Sequence, residues 1–256
     1  MFKNVIVKTP CAAMTKGITS HPELGSPIYE KALEQHAAYI ETLKSLGVEV
    51  TVLPADEDYP DSCFVEDPAL LTKHCAVITN PGAATRKGET AAIEPAVAKF
   101  YPSDKIYHIT DPGTLEGGDV MMCGDTFYVG LSDRTNEDGI RQLTAILGRY
   151  GCRVIGVPLT EVLHLKTGVV YLENGTMLAA GEFLTKPELE GYKKIPVPED
   201  EAYAGNCIWV NGTVIVPEGY PKVKAAIEAA GYKTVTCDTS EYRKIDGGLS
   251  CLSLRF

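Results

Sequence analysis

Polar residues lead a series of apolar, hairpin-like segments at nearly constant intervals along this chain. The segments are FVEDPALLTKHCAVIT, LEGGDVMMCGDTFYVG, LHLKTGVVYLENGTMLAAGEF, NCIWVNGTVIVP and GLSCLSLRF, and their leading residues Glu66, Glu116, His164, Asn206 and Cys251 are spaced by 50, 48, 42 and 45 residues. A period of that length means one supersecondary unit used again and again. Between the hairpins runs a second recurring phrase. Residues 28–46 carry apolar side chains at helical spacing, Gly47 ends the run, and the strand-like VEVTVLP follows. The same order of helix, glycine and β-rich strand returns over 139–159 and 220–238, with a looser copy over 89–110.

Mixed strands with about one helix per unit imply an α/β fold whose units are blades around an axis, the first strand of each pointing a residue at the centre. That arrangement gathers Glu66 or Asp67, Glu116, His164 and Cys251 from distant parts of the chain. A period can equally describe an open stack, in which these residues stay apart. No Ser/Gly linker or charge block interrupts residues 1–256, so a single domain is expected.

Acid, imidazole and thiol together are the parts of thiol-based nucleophilic catalysis on a cation held by carboxylates. Each residue also has a plainer reading. Cys251 is one of eight cysteines and could be an ordinary buried one, but Gly247-Gly248 just before it suit a close backbone approach. His164, between Leu163 and Leu165, faces away from both on a strand, toward either solvent or a site. Glu116 and the adjacent Glu66-Asp67 sit in apolar surroundings, where a carboxylate calls for a cation or hydrogen bonds, and neighbours on a strand point to opposite faces. Arg86 and Arg134 occupy comparable loops after second strands and are candidates to receive a carboxylate.

Other function classes fit poorly. With 24 basic against 34 acidic residues, a net charge of −10 leaves no basic face for nucleic acid. No apolar run approaches a membrane span, and MFKNVIVKTP is no signal peptide, so a cytoplasmic protein is expected. No C-x-x-C, H-E-x-x-H, Walker or G-x-G-x-x-G motif is present, and neither metal nor cofactor is expected.

PDSCFVEDPAL, LEGGDVMM, VLHLKTG, NCIWVN and SEYRKIDGGLSCLSLRF, in this order, resemble the dimethylarginine dimethylaminohydrolases of the guanidine-modifying superfamily, over the whole of residues 1–256. The resemblance implies a five-bladed α/β propeller that hydrolyses Nω-methylated and Nω,Nω-dimethylated L-arginine to citrulline and methylamine or dimethylamine. It implies Cys251 as nucleophile, His164 as general acid and base, and Glu116 with Asp67 as the carboxylates gripping the guanidinium. Glu66, Asp61 and Phe64 would contact substrate, Arg86 and Arg134 would bind its amino-acid end, and Ile18 and Ile245 would contribute backbone groups or packing. A homodimer is expected on the same ground. Two departures bear on substrate preference: Ile18 where leucine is usual, and Glu116-Gly117-Gly118-Asp119 where the family often reads E-A-G-D. The same groups would serve an arginine deiminase or a citrulline hydrolase. A non-catalytic propeller, such as the ribosome anti-association factors, would not need Cys251, His164, Glu116 and Asp67 together.

Overall fold

Five three-stranded sheets of one design make up the β-structure. In a computed structural model describing residues 1–256, each sheet pairs its first strand antiparallel to the second and its third parallel to the second. The chain divides into two compact units, Glu66–Gly205 and a discontinuous one of Met1–Val65 with Asn206–Phe256. The α/β class and the repeat are therefore as the spacing predicts.

The continuous unit holds three sheets: Ala69–Leu71, Ala76–Ile78 and Ile106–His108; Val120–Cys123, Thr126–Leu131 and Arg153–Pro158; and Val169–Tyr171, Thr176–Ala179 and Lys193–Pro196. The parallel crossovers of the first two run through the helices Glu89–Val97 and Glu137–Gly148. Helix Glu137–Gly148 shows how local sequence writes such a crossover. Asn136 caps it by accepting from the Gly139 N–H at 2.8 Å, and Glu137 and Asp138 lie at the positive end of its dipole. Leu143, Ile146 and Leu147 then recur on one face and are buried against Val120, Phe127 and Val129. The third sheet differs, since only short 3₁₀ turns at Gly181–Leu184 and Pro187–Leu189 span its crossover.

The discontinuous unit holds Ile208–Val210, Thr213–Pro217 and Lys233–Cys237, crossed by helix Pro221–Ala229. Its other sheet joins the two ends of the described chain: Leu254–Arg255 pairs antiparallel with Asn4–Lys8, which pairs parallel with Glu49–Leu53. Helix Tyr29–Ser45 turns Ala32, Tyr39 and Leu43 into this unit's core, where Val5, Val7, Tyr242, Leu249 and Leu252 meet them. Gly47 follows the helix with φ +81°, Gly151 and Gly231 stand at +74° and +95°, and all three are the expected left-handed stops. No helix is long and apolar enough to cross a membrane.

One expectation needs correcting. The leading polar residues are not on the first strands but in the turns before them: Glu66 and Asp67 precede Ala69, Glu116 precedes a 3₁₀ turn at Gly117–Asp119, and His164 caps a short helix, Leu165–Gly168. Alternation across a strand therefore does not decide where Glu66, Asp67 or His164 point. Glycine crowding explains the turns: a Cβ on Gly117 would lie 1.9 Å from the Glu66 carbonyl oxygen, so the two turns pack backbone to backbone. Alanine at this position has no room here.

Candidate active site

In the continuous unit, Glu116, His164 and Asp67 come together. Glu116 is 1% exposed, and its Oε2 lies 2.7 Å from His164 Nε2. The other oxygen accepts the Ala83 N–H at 3.0 Å, and Arg134 Nη1 stands 4.0 Å from it. Asp67 Oδ1 accepts the Gly118 N–H at 2.9 Å. A Cβ on Gly118 would lie 2.9 Å from that oxygen and 3.0 Å from the His164 ring, so the absence of a side chain at 118 is what lets carboxylate and imidazole share one backbone cradle.

Charge fixes the protonation of this group. Burial works against an imidazolium at His164, but the Asp119 charge, the hydrogen bond to Glu116 and the charges of Asp67 and Glu116 outweigh it and raise the pKa to about 9. Burial likewise opposes ionisation of Glu116, and the His164 hydrogen bond and charge, the Ala83 N–H and Arg86 overcome it and hold the carboxyl well below its ordinary range. An imidazolium–carboxylate pair, buried and poised to give up a proton, is the result.

Arg86 contacts two carboxylates of the chain itself. It is buried, its Nε and Nη2 fork onto both oxygens of Glu89 at 2.9 and 2.7 Å, and its Nη1 bonds Asp67 Oδ2. Its described contacts thus position a carboxylate, as a planar guanidinium does well. Arg134 keeps more freedom, with a fifth of its side chain exposed and its loop packed against Gly82, where a Cβ would strike the Arg134 carbonyl oxygen.

Two residues of this unit were not singled out from the sequence. Asp119 is fully buried and accepts Ser132 Oγ and Thr135 Oγ1, each at 2.7 Å, and the Leu165 N–H at 3.0 Å. It therefore anchors the residue next to His164, and burial raises its own pKa. Lys166, two residues past His164, places Nζ 2.6 Å from Glu66 Oε1. The fifth residue of LEGGDV was the available signal for Asp119; nothing local marks Lys166.

In the discontinuous unit, Cys251 is the one cysteine of eight that is not buried, and no disulfide links any of them. Its turn is held largely by neutral groups, with Arg255 beside them. Asn206 Oδ1 accepts the Ser250 N–H at 2.8 Å, and its Nδ2 donates to Ser250 Oγ at 3.1 Å. Tyr39 OH donates to the Leu249 carbonyl at 3.0 Å and lies 2.7 Å from Ser253 Oγ, while Arg255 Nη1 donates to the carbonyls of Ser250 and Ser253. Gly248 lets Asn206 in, since a Cβ there would lie 2.6 Å from Asn206 Cγ.

A second group in this unit gathers Asp61, Ile18, Ile245 and Phe64. Asp61 Oδ1 accepts the Ile18 N–H at 3.0 Å, and Gly17 fits between that oxygen and Ile245. Phe64 is buried edge-on to Tyr242, with Gly247 against its ring. Ile18 is half exposed, and its loop is tied down where Asp246 Oδ2 accepts the Ser20 N–H at 2.6 Å.

Comparison with known proteins gives these clusters a context. Residues 19–185 match the sequence profile of the family described as N,N dimethylarginine dimethylhydrolase, eukaryotic. Over 256 residues, covering all of both chains, the sequence is 55% identical to the N(G),N(G)-dimethylarginine dimethylaminohydrolase of Pseudomonas aeruginosa. The fold superposes on a solved cysteine-to-serine mutant of a Pseudomonas aeruginosa dimethylarginine dimethylaminohydrolase complexed with citrulline, with a TM-score of 0.98 and both chains fully covered. It also superposes, at 55% identity and a TM-score of 0.97 with full coverage, on a histidine-to-glycine dimethylarginine dimethylaminohydrolase solved as an adduct with S-methyl-L-thiocitrulline.

Proposed function

This chain belongs to the dimethylarginine dimethylaminohydrolase family, and from that premise we propose that residues 1–256 act as one catalytic domain hydrolysing Nω,Nω-dimethyl-L-arginine, and the monomethyl form, to L-citrulline and the corresponding amine. One observation carries the reading on the chain's own side: the His164–Glu116 pair, with Glu116 buried, shares a glycine cradle with Asp67. A fixed imidazolium beside two carboxylates suits a substrate that is itself a cation and whose leaving group must be protonated.

The reaction follows from charge. Glu116 and Asp67 hold the guanidinium, and Arg86, locked onto Asp67 and Glu89, keeps Asp67 oriented. Cys251, as thiolate, adds through sulfur to the guanidinium carbon, whose C=N π electrons move onto nitrogen. When the tetrahedral adduct collapses, the C–N bond to dimethylamine breaks, and His164 gives its proton to the departing amine. A thiouronium on Cys251 remains. Neutral His164 then takes a proton from a water that attacks the same carbon; the C–S bond breaks as the sulfur regains its electron pair, the remaining hydroxyl proton passes to solvent, and citrulline leaves with its carbonyl formed. Glu66 with Lys166, Asp61 and Phe64 complete the pocket in this reading, Arg134 receives the amino-acid end, and Ile18 and Ile245 border it.

A thiol of ordinary pKa, ~8.5, is mostly protonated at neutral pH. Carboxylates gathered for the substrate disfavour a thiolate further, so Cys251 ionises chiefly when the substrate cation or His164 offsets them. The reading extends to a homodimer, supported by the family resemblance, and to a cytoplasmic location; a monomer by light scattering would remove the first part alone. The deciding experiment compares citrulline release from asymmetric dimethylarginine and from arginine, with Cys251→Ala as blank. Release from the methylated substrate, absent in the blank, is expected. Turnover of arginine alone would move the chain to deiminase chemistry with the same residues.

A further inference from the structure

The hairpins that carry Asp67 and Glu116 before their first strands carry a different group of side chains at their other ends. His74 lies in the turn after Ala69–Leu71, and Asp125 in the turn after Val120–Cys123. Four residues of strand span roughly 13 Å at ~3.3 Å each, so this group stands well apart from His164 and Glu116. Cys152 joins it from the turn between helix Glu137–Gly148 and strand Arg153–Pro158. A ring nitrogen of His74, a carboxylate oxygen of Asp125 and Sγ of Cys152 all lie within 4.8 Å of one another.

Each of the three is held by its backbone. Thr72 Oγ1 accepts the N–H groups of His74 and Cys75 at 3.1 and 3.0 Å. The Asp125 carbonyl accepts the Arg153 N–H at 2.9 Å, and Cys152 N–H bonds the Leu147 carbonyl at 3.2 Å. The His74 ring stacks on Tyr150, 5.2 Å between centroids and 13° between planes, and Tyr150 OH lies 2.9 Å from Tyr107 OH. One cation is already near: Lys73 Nζ sits 2.7 Å from Asp125 Oδ1, which leaves Oδ2 for another partner.

We propose that His74, Asp125 and Cys152 form a binding site for a divalent transition metal of the zinc class, linking the first two sheets of the continuous unit and separate from the catalytic groups. Imidazole, carboxylate and thiolate are a borderline donor set that suits zinc and disfavours calcium or magnesium, and three protein ligands leave a fourth position for water. Bonds of ~2.0–2.3 Å in a tetrahedron put ligand atoms roughly 3.5 Å apart, within a small side-chain rotation of the present arrangement. On binding, the Cys152 S–H gives its proton to solvent and its sulfur pair to the metal. The ligands come from three turns that are remote in sequence, so no spacing motif announces them.

Cobalt(II) is the probe, added to the folded full chain carrying Cys251→Ser and His164→Ala, which removes the catalytic sulfur and imidazole. The expected result is one equivalent bound with a thiolate-to-cobalt charge-transfer band. Cys152→Ser abolishes the band, and His74→Ala and Asp125→Asn each weaken binding by at least the roughly tenfold that even an outer-shell partner is worth. Lys73→Ala tightens it by removing the competing ammonium. In the chain with its catalytic residues intact, zinc raises the Tm, and Cys152→Ser erases that rise. Absence of the band, or a band that survives Cys152→Ser in a chain still folded by circular dichroism, overturns the proposal.

Discussion

The charged cluster around His164 and the turn around Cys251 are both buried polar structures, yet they are built by opposite means. Ionised groups hold the first: Glu116 pairs with His164, Asp67 with Arg86, Arg86 with Glu89, and Asp119 lies beneath. The second is organised largely by neutral hydrogen bonds to backbone from Asn206 and Tyr39, with Arg255 as its one cation. A buried charge must keep its partner or lose its ionisation, whereas a neutral amide only keeps a chain path. The first cluster thus sets protonation and the second sets position, and changes in each should fail in different observables.

The sharpest break is Cys251→Ala, which removes the proposed nucleophile and should bring citrulline release to the uncatalysed level while the Tm stays near that of the parent. Next, Glu116→Gln removes the charge that holds the His164 proton. It should cost about 10²–10⁴ in kcat, the worth of a general acid, and move the basic limb of the kcat profile down from about pH 9. An unmoved limb would mean that Glu116 does not control His164. Asp119→Asn keeps the size of the side chain and acts through Leu165; it should lower kcat by less, shift the same limb, and leave KM nearly unchanged.

On the thiol side the readouts reverse. Asn206→Ala strands the Ser250 N–H and should cost about 1–3 kcal/mol in denaturant unfolding, with kcat reduced and the pH profile unmoved. A moved profile would show that the two clusters are not separable in this way. A separate effect concerns stability against pH. His164 binds its proton more tightly in the folded chain than at the ordinary ~6.5, so its contribution is complete below about pH 6.5 and fades as pH rises through about 9. His164→Gln should flatten that part of the curve.

Much of this was legible in the sequence, in a particular way. The spacing of Glu66, Glu116, His164, Asn206 and Cys251 announced five repeats because each repeat must bury its own hairpin, and Gly47, Gly151 and Gly231 announced helix ends because only glycine takes those φ values cheaply. What could not be read were partners distant in sequence. Glu89 as the seat of Arg86, Lys166 on Glu66, and Asn206 on Ser250 are choices among many similar side chains, made by the packed fold. The turns before the strands escaped because alternation describes residues on a strand, and the backbone contact of Gly117 with Glu66 is tertiary.

Leu254 and Arg255 are the strand that finishes the sheet begun by Asn4–Lys8, and Cys251 lies three residues before them. Losing the Leu254–Arg255 pairing would therefore bare the edge of Asn4–Lys8 and, with the Arg255 bond to the Ser250 carbonyl gone, loosen the turn of Cys251 at the same time.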